Sequence, residues 1–206
     1  HGLQVMNDKP RLAIQVLKKL KKVETITSRT LAFQFGPLMN AAGRLKDADL
    51  AVSFLLSNDR QEAEKMAQIL DATNAERREK ESEMIQTALK LADEQKNNPA
   101  LILVSPEFHE GVNGIVATRL VESFYKPVLI LSENEGKIKG SGRSIPELNL
   151  KDVLSDCSDL LERFGGHAAA AGCSLIPENL EAFRDRFIAL CDERLPASLE
   201  PKLQLD

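Results

Sequence analysis

The chain has 206 residues, 43% of them hydrophobic and 28% charged, with a formal net charge of −4. That size supports one good core and part of a second, while the acidic balance excludes a protein that coats DNA through a dominant basic face, so any nucleic-acid contact has to be local. No apolar run approaches the roughly 18 residues of a membrane span, and no secretory leader opens the chain, which predicts a cytoplasmic protein without a membrane partner.

The first residues, His1-Gly2-Leu3, lack an initiator methionine and predict a processed or excised piece of a longer protein. "PRLAIQVLKKLKKV" (10–23) sets Leu12, Val16, Leu17, Leu20 and Val23 at helical spacing beside lysines, a short amphipathic helix. "LAFQFGPLMNAAGRL" (31–45) reads as a loop with a Gly-Pro turn, after which "KDADLAVSFLLSND" resumes helical periodicity. From Arg60 to Lys96 neither proline nor glycine occurs, so these 37 residues predict one helix of roughly 55 Å. Its middle, "NAERREKESE" (74–83), is charged in seven of ten positions, the pattern of a helix that bridges two domains through solvent.

Beyond "KNNP" the apolar runs "ALILVS" (100–105) and "PVLILSE" (127–133) flank the helical period of "GVNGIVATRLVESFY" (111–125), predicting a parallel β-α-β unit. "GKIKGSGRS" (136–144) follows as a strand entering a loop, then a helix, the strand "HAAAAGCSL" (167–175) and a closing helix. The fold class is α/β: a small mixed-sheet domain preceded by a long helix and a helical remnant. Cys157, Cys173 and Cys191 are odd in number and widely spaced, which fits reduced packing residues rather than a disulfide framework or a zinc site.

Four stretches carry candidate chemistry. In "GSGRS", Gly140 and Gly142 offer backbone amides, Ser141 and Ser144 hydroxyls, and Arg143 a planar fork that suits phosphate oxygens; an ordinary β-turn with a surface arginine fits the same letters. "FGGHAAAAG" (164–172) holds His167 beside Gly165 and Gly166, although lone histidines are more often structural. "FHEGVNGIVATRLVE" places His109 and Gly111 where a strand meets a helix, whose first amides face anions, or simply start the helix. "GPLMNAAGRL" sets Asn40 and Arg44 around Ala-Ala-Gly, which also suits a helix C-terminus.

In this order, and with the long helix between the first and the rest, these stretches resemble the RecJ family of single-strand-specific exonucleases, within the DHH phosphoesterase superfamily, over roughly residues 2–195. The resemblance implies the end of a catalytic domain (1–58), a linking helix (59–97), a DHH-associated substrate-binding domain (98–195) and a lead toward an oligonucleotide-binding fold (196–206). It implies 5′ to 3′ hydrolysis of single-stranded DNA in repair and recombination, with Mn²⁺ or Mg²⁺ in the intact enzyme and single-strand-binding protein and a helicase as partners there. Carried over by position, Arg143 and Ser144 grip a backbone phosphate and His167 donates to the reacting phosphate as the one supporting catalytic group. Ser141, Gly140, Gly142, Gly165 and Gly166 shape that site, His109 and Gly111 flank the cleft, and Asn40 and Arg44 reach the DNA from the other side.

The family's catalytic half carries an Asp-x-Asp type motif and an Asp-His-His triplet. Here the histidines are His1, His109 and His167, none adjacent to another, and "DADL" and "SDCSD" read as helix caps or solvated acids. No metal site is therefore expected in this chain, which taken alone is expected to be inactive. The other readings the residues allow are a stand-alone nucleic-acid or nucleotide-binding module and a smaller DHH phosphodiesterase acting on short oligonucleotides or cyclic dinucleotides.

Overall fold

The computed structural model describes residues 1–196, which fall into two compact units that divide within one helix, between Glu79 and Lys80. The first unit is all helical: α1 (Gly2–Asp8), α2 (Leu12–Lys21), α3 (Ser28–Thr30), a π-helical turn (Leu31–Phe35), α4 (Gly36–Leu45), α5 (Asp49–Leu56) and the start of α6 (Arg60–Glu94). Val16 and Leu17 of α2, Leu38 of α4, Phe54 of α5 and Leu70 of α6 meet in its core. The apolar stripe read from α2 is the face that buries them.

The expected loop at 31–45 is instead continuous helix. Pro37 sits in the first turn of α4 and has no N–H to give the preceding turn, and its ring crowds the carbonyl four residues back. The chain accommodates it by widening one turn, so that the Gly36 amide donates to Leu31 O, five residues earlier. A side chain at Gly36 would begin 3.0 Å from that carbonyl. The Gly-Pro pair thus marks a π-bulge, not a turn.

α6 spans 35 residues without a break. Its polar stretch starts later than the letters suggest, because Thr73 and Asn74 are 0% and 4% exposed; none of residues 75–83 is buried.

The second unit is a five-stranded mixed sheet, in the order β1-β2-β3-β5-β4. β1 (Leu101–Ser105) runs parallel to β2 (Val128–Asn134), connected through α7 (Glu110–Phe124) as the β-α-β reading expects. β3 (Lys137–Arg143) and β5 (Ala170–Leu175) continue the sheet antiparallel, and β4 (Arg163–Gly166) forms its edge. At the opposite edge, the Gln95 amide accepts from Ile102 N and donates to Ile102 O at 3.1 and 3.0 Å, doing for one residue of β1 what a further strand would do.

One face of the sheet, with Leu129, Leu131, Ile138, Ala171 and Cys173, packs on α8 (Leu150–Ser155) and α9 (Leu180–Arg194) through Val153, Leu154, Phe183, Phe187 and Cys191. The other face carries α7 over β2 and β3. Over β5 and β4 that face is lined by Gly172, Ser174, Gly165 and Arg163, so it stays shallow.

Candidate nucleic-acid interface

The two glycine-rich stretches that open the question of function lie side by side. Register sets Ser141 opposite Gly172, Gly142 opposite Ala171 and Arg143 opposite Ala170. "GSGR" is therefore strand, not loop, and the amides of Gly140 and Gly142 belong to the ladders with β2 and β5 instead of standing open to a ligand. Their lack of side chains serves packing: a Cβ at Gly140 would lie 2.1 Å from Leu131 Cδ2, and one at Gly142 2.6 and 2.7 Å from the Cδ2 atoms of Leu129 and Leu150. Alternation then turns Lys139, Ser141 and Arg143 to the face that carries α7.

"FGGHAAAAG" folds as a hairpin. β4 turns into β5 across His167–Ala170, closed by His167 N donating to Ala170 O at 2.8 Å and Ala170 N to His167 O at 3.3 Å. Gly166 enters that turn with φ +139°, and a Cβ there would meet Ala170 O at 2.4 Å. The geometry it satisfies is that of its own hairpin. His167 is exposed at the tip, at the same end of the sheet as Arg143. Gly165 is open: nothing lies within 4 Å of a Cβ placed on it.

The chain leaving Arg143 is tied to the same hairpin, since Ser144 N donates to Ala169 O at 3.0 Å and Leu150 N to Ala168 O at 2.9 Å. Ser144 Oγ donates to Leu148 O at 2.8 Å, which orients its lone pairs and spends its proton inside the loop. Arg143 is half-buried; its Nη1 donates to Gly142 O at 2.8 Å.

Beside them runs a groove of about 350 Å³ whose lining includes Ser141, Gly172 and Ser174 on its floor, with Lys139, Arg163, Asn113 and the carboxylate of Glu110 around it. Lys139 and Arg163 were not singled out from the sequence. The signal for Lys139 was available, because it stands two residues before Ser141 and four before Arg143 on one strand; nothing local marks Arg163 as a strand residue. Lys139 also pairs with Glu110 at the start of α7, at 3.1 Å.

His109 is the N-cap of α7, its Nδ1 accepting from Gly111 N at 3.1 Å. Both residues line or adjoin a second cleft, bordered by Glu83, Glu107, Glu110 and Glu133 and by Lys80. Asn40 and Arg44 lie in the other unit, four residues apart on α4 and exposed, with Ala41 and Ala42 between them fully buried.

Among the described residues no three His, Cys, Asp or Glu side chains gather as metal ligands. Asp47 accepts from Asp49 N at 2.9 Å as a local cap, Asp156 pairs with Arg194, and Asp159 pairs with Arg186 at 2.5 Å. The three cysteines are buried thiols whose desolvation raises their pKa values, Cys157 to about 11 and Cys173 and Cys191 to about 12. They are protonated packing groups. The residues present do not fit a two-metal centre.

Residues 97–193 match the DHHA1 domain. The chain is 38% identical over 199 residues to the single-stranded-DNA-specific exonuclease RecJ of Bacillus subtilis and 41% identical over 183 residues to that of Dickeya dadantii. The chain belongs to the RecJ family. These matches take in 94% and 84% of the chain but only 25% and 32% of the two relatives. A crystal structure of the exonuclease RecJ bound to manganese superposes with a TM-score of 0.84 at 32% identity, over 95% of this chain and 49% of that one. The Mg²⁺ complex of RecJ from Thermus thermophilus gives 0.83 at 33%, over 93% and 30%. The metals of these RecJ structures contrast with the ligand-poor residues described above.

Proposed function

We propose that this chain is the single-stranded-DNA-holding part of a RecJ-type 5′ to 3′ exonuclease acting in DNA repair and recombination, with 1–58 ending its catalytic domain, 59–97 linking, and 98–195 binding substrate. The observation that carries the reading is the β3–β5 register, which sets Arg143 beside the hairpin of His167. A guanidinium and an exposed imidazole at one end of a sheet, next to a groove with a small-residue floor, suit a phosphodiester backbone, which offers charge and little bulk. In this reading Arg143 holds a phosphate, His167 donates to the phosphate that reacts, and Ser141 and Lys139 continue the track; Asn40 and Arg44, exposed on the helical unit, are proposed as separate DNA contacts.

We place the Mn²⁺ or Mg²⁺ of the intact enzyme outside the described residues, with its ligands in other parts of a RecJ protein. What these residues contribute is position and charge. Single-strand-binding protein and a helicase as partners of the intact enzyme, and the cytoplasm as its place, belong to the same proposal. The foreseen lead toward an oligonucleotide-binding fold lies, from residue 197 onward, outside the described residues.

Titration of a fluorescent single-stranded oligonucleotide at several salt concentrations tests the reading. Arg143→Ala should lose a charge-assisted contact of about 1.5 to 3 kcal/mol and flatten the logarithmic salt slope by about 0.7. Unchanged affinity and slope would remove Arg143 from the interface. His167→Ala in the full-length enzyme should lower turnover more than affinity, because a donor at the reacting phosphate matters most as charge builds.

A further inference from the structure

We propose that Gly114, inside α7, is a positioning residue for Arg143. The inference rests on the assignment of Arg143 to a phosphate. A glycine in a helix interior is unfavourable relative to alanine, so one standing there calls for a local reason. At Gly114 the reason is a guanidinium: a Cβ on this residue would lie 2.9 Å from Arg143 Nη2 and 3.5 Å from both Cζ and Nη1. The fork of Arg143 occupies the notch left by the missing side chain, while its Nη1 donates to Gly142 O at 2.8 Å.

Steric confinement on one side and a hydrogen bond on the other restrict an arginine that would otherwise sweep through many rotamers. A guanidinium held in one orientation loses less entropy when it takes up a phosphate. The neighbour that a Cβ would displace is the end of a flexible side chain, so alanine at 114 can be accepted by the fold at little cost while moving the guanidinium. Binding and stability should therefore change in opposite directions, which a plain packing role would not produce.

The test compares Gly114→Ala, Arg143→Ala, Arg143→Lys and the Gly114→Ala/Arg143→Ala double variant, using thermal melting and titration of a fluorescent oligothymidylate. Gly114→Ala should melt at or above the parent temperature yet bind about fivefold or more weakly, and should add nothing once Arg143 is alanine. Arg143→Lys, which keeps the charge without the fork, should also bind more weakly. Parent-like binding by Gly114→Ala beside weakened Arg143→Ala would overturn the inference and leave the phosphate assignment standing. Equal weakening by Gly114→Ala in the two backgrounds, or a lowered melting temperature, would overturn it as well. Unchanged binding by Arg143→Ala would sink the phosphate assignment and the inference with it. The unmutated chain supplies a check that needs no variant: the ¹⁵N relaxation of Arg143 Nε should match that of the rigid backbone, and a mobile Nε would rule the notch out.

Discussion

Gly140 and Gly165 are the same residue type under opposite demands. Gly140 faces the core, with Leu131 Cδ2 2.1 Å and Ile130 O 3.1 Å from the place of a Cβ, whereas Gly165 has nothing within 4 Å. Gly140→Ala should destabilise the domain by about 1 to 3 kcal/mol, the usual cost of overpacking, while Gly165→Ala should stay within about 0.5 kcal/mol; urea unfolding measures both. A letter alone does not distinguish these cases. The glycines of "GSGRS" read as a loop because glycine usually punctuates chains, and only the leucines of β2 explain them. Ser141, Arg143 and His167 were legible as candidate ligand groups; their juxtaposition was implied by the family resemblance alone, since in the residues themselves it depends on a register set by positions far apart in the chain. The buried thiols add a pH signature. Because the folded state holds Cys157, Cys173 and Cys191 protonated up to about 11 or 12 against a reference of 9.0, the unfolded chain releases protons first as pH climbs past 9. Stability should be insensitive to these groups below that point and fall between about pH 9 and 12. Native protein should resist a thiol reagent at pH 8 and react fully in urea; fast labelling of the native chain would contradict their burial.

At the scale of elements, α6 shows how a pattern can be right in kind and wrong in detail. The absence of glycine and proline from 60 to 96 gave its existence and near ends, and the run from 75 to 83, none of it buried, agrees with its charge. Thr73 and Asn74 look equally solvated in the letters, yet both are buried. Asn74 Oδ1 accepts from Arg77 Nη2 at 2.8 Å, but Thr73 Oγ1 has no partner among the described residues. A desolvated hydroxyl without a hydrogen bond costs about 1 to 3 kcal/mol, so Thr73→Val, nearly isosteric, should keep or raise stability in thermal melts, while Arg78→Lys in that run should shift it by no more than about 0.5 kcal/mol. A loss from Thr73→Val would reveal a partner for that hydroxyl. The β-α-β unit was fully legible because apolar runs and helical period alternate cleanly there. β4 was not: all four of its residues are exposed and two are glycine, so neither alternation nor apolar content marks it. The π-bulge at 31–35 escaped for a related reason, since Gly-Pro punctuates most chains and is absorbed here by one widened turn.

For the whole molecule, an overall charge of −4 coexists with a local track of Lys139, Arg143 and Arg163, so the salt dependence of binding should follow the few cations of that face and not the net charge. The ligand-poor composition of the described residues sets a further expectation: this chain, purified and given Mn²⁺, should release no nucleotides from 5′-phosphorylated single-stranded DNA. Release that disappears with Arg143→Ala would contradict it. The unequal cover of the sheet has one more consequence. β2 and β3 are flanked by strands on both sides, whereas β4 hangs on β5 alone at an unroofed edge. Such an edge opens locally far more often than the centre does. Amide protons of Gly165 and Gly166 should therefore exchange with deuterium well before those of Leu129 to Leu131, and an oligonucleotide lying across the hairpin should slow the former and leave the latter untouched. Part of the free energy of capture would then go into quieting a fraying edge, which makes the grip on the strand a matter of dynamics as well as of contact.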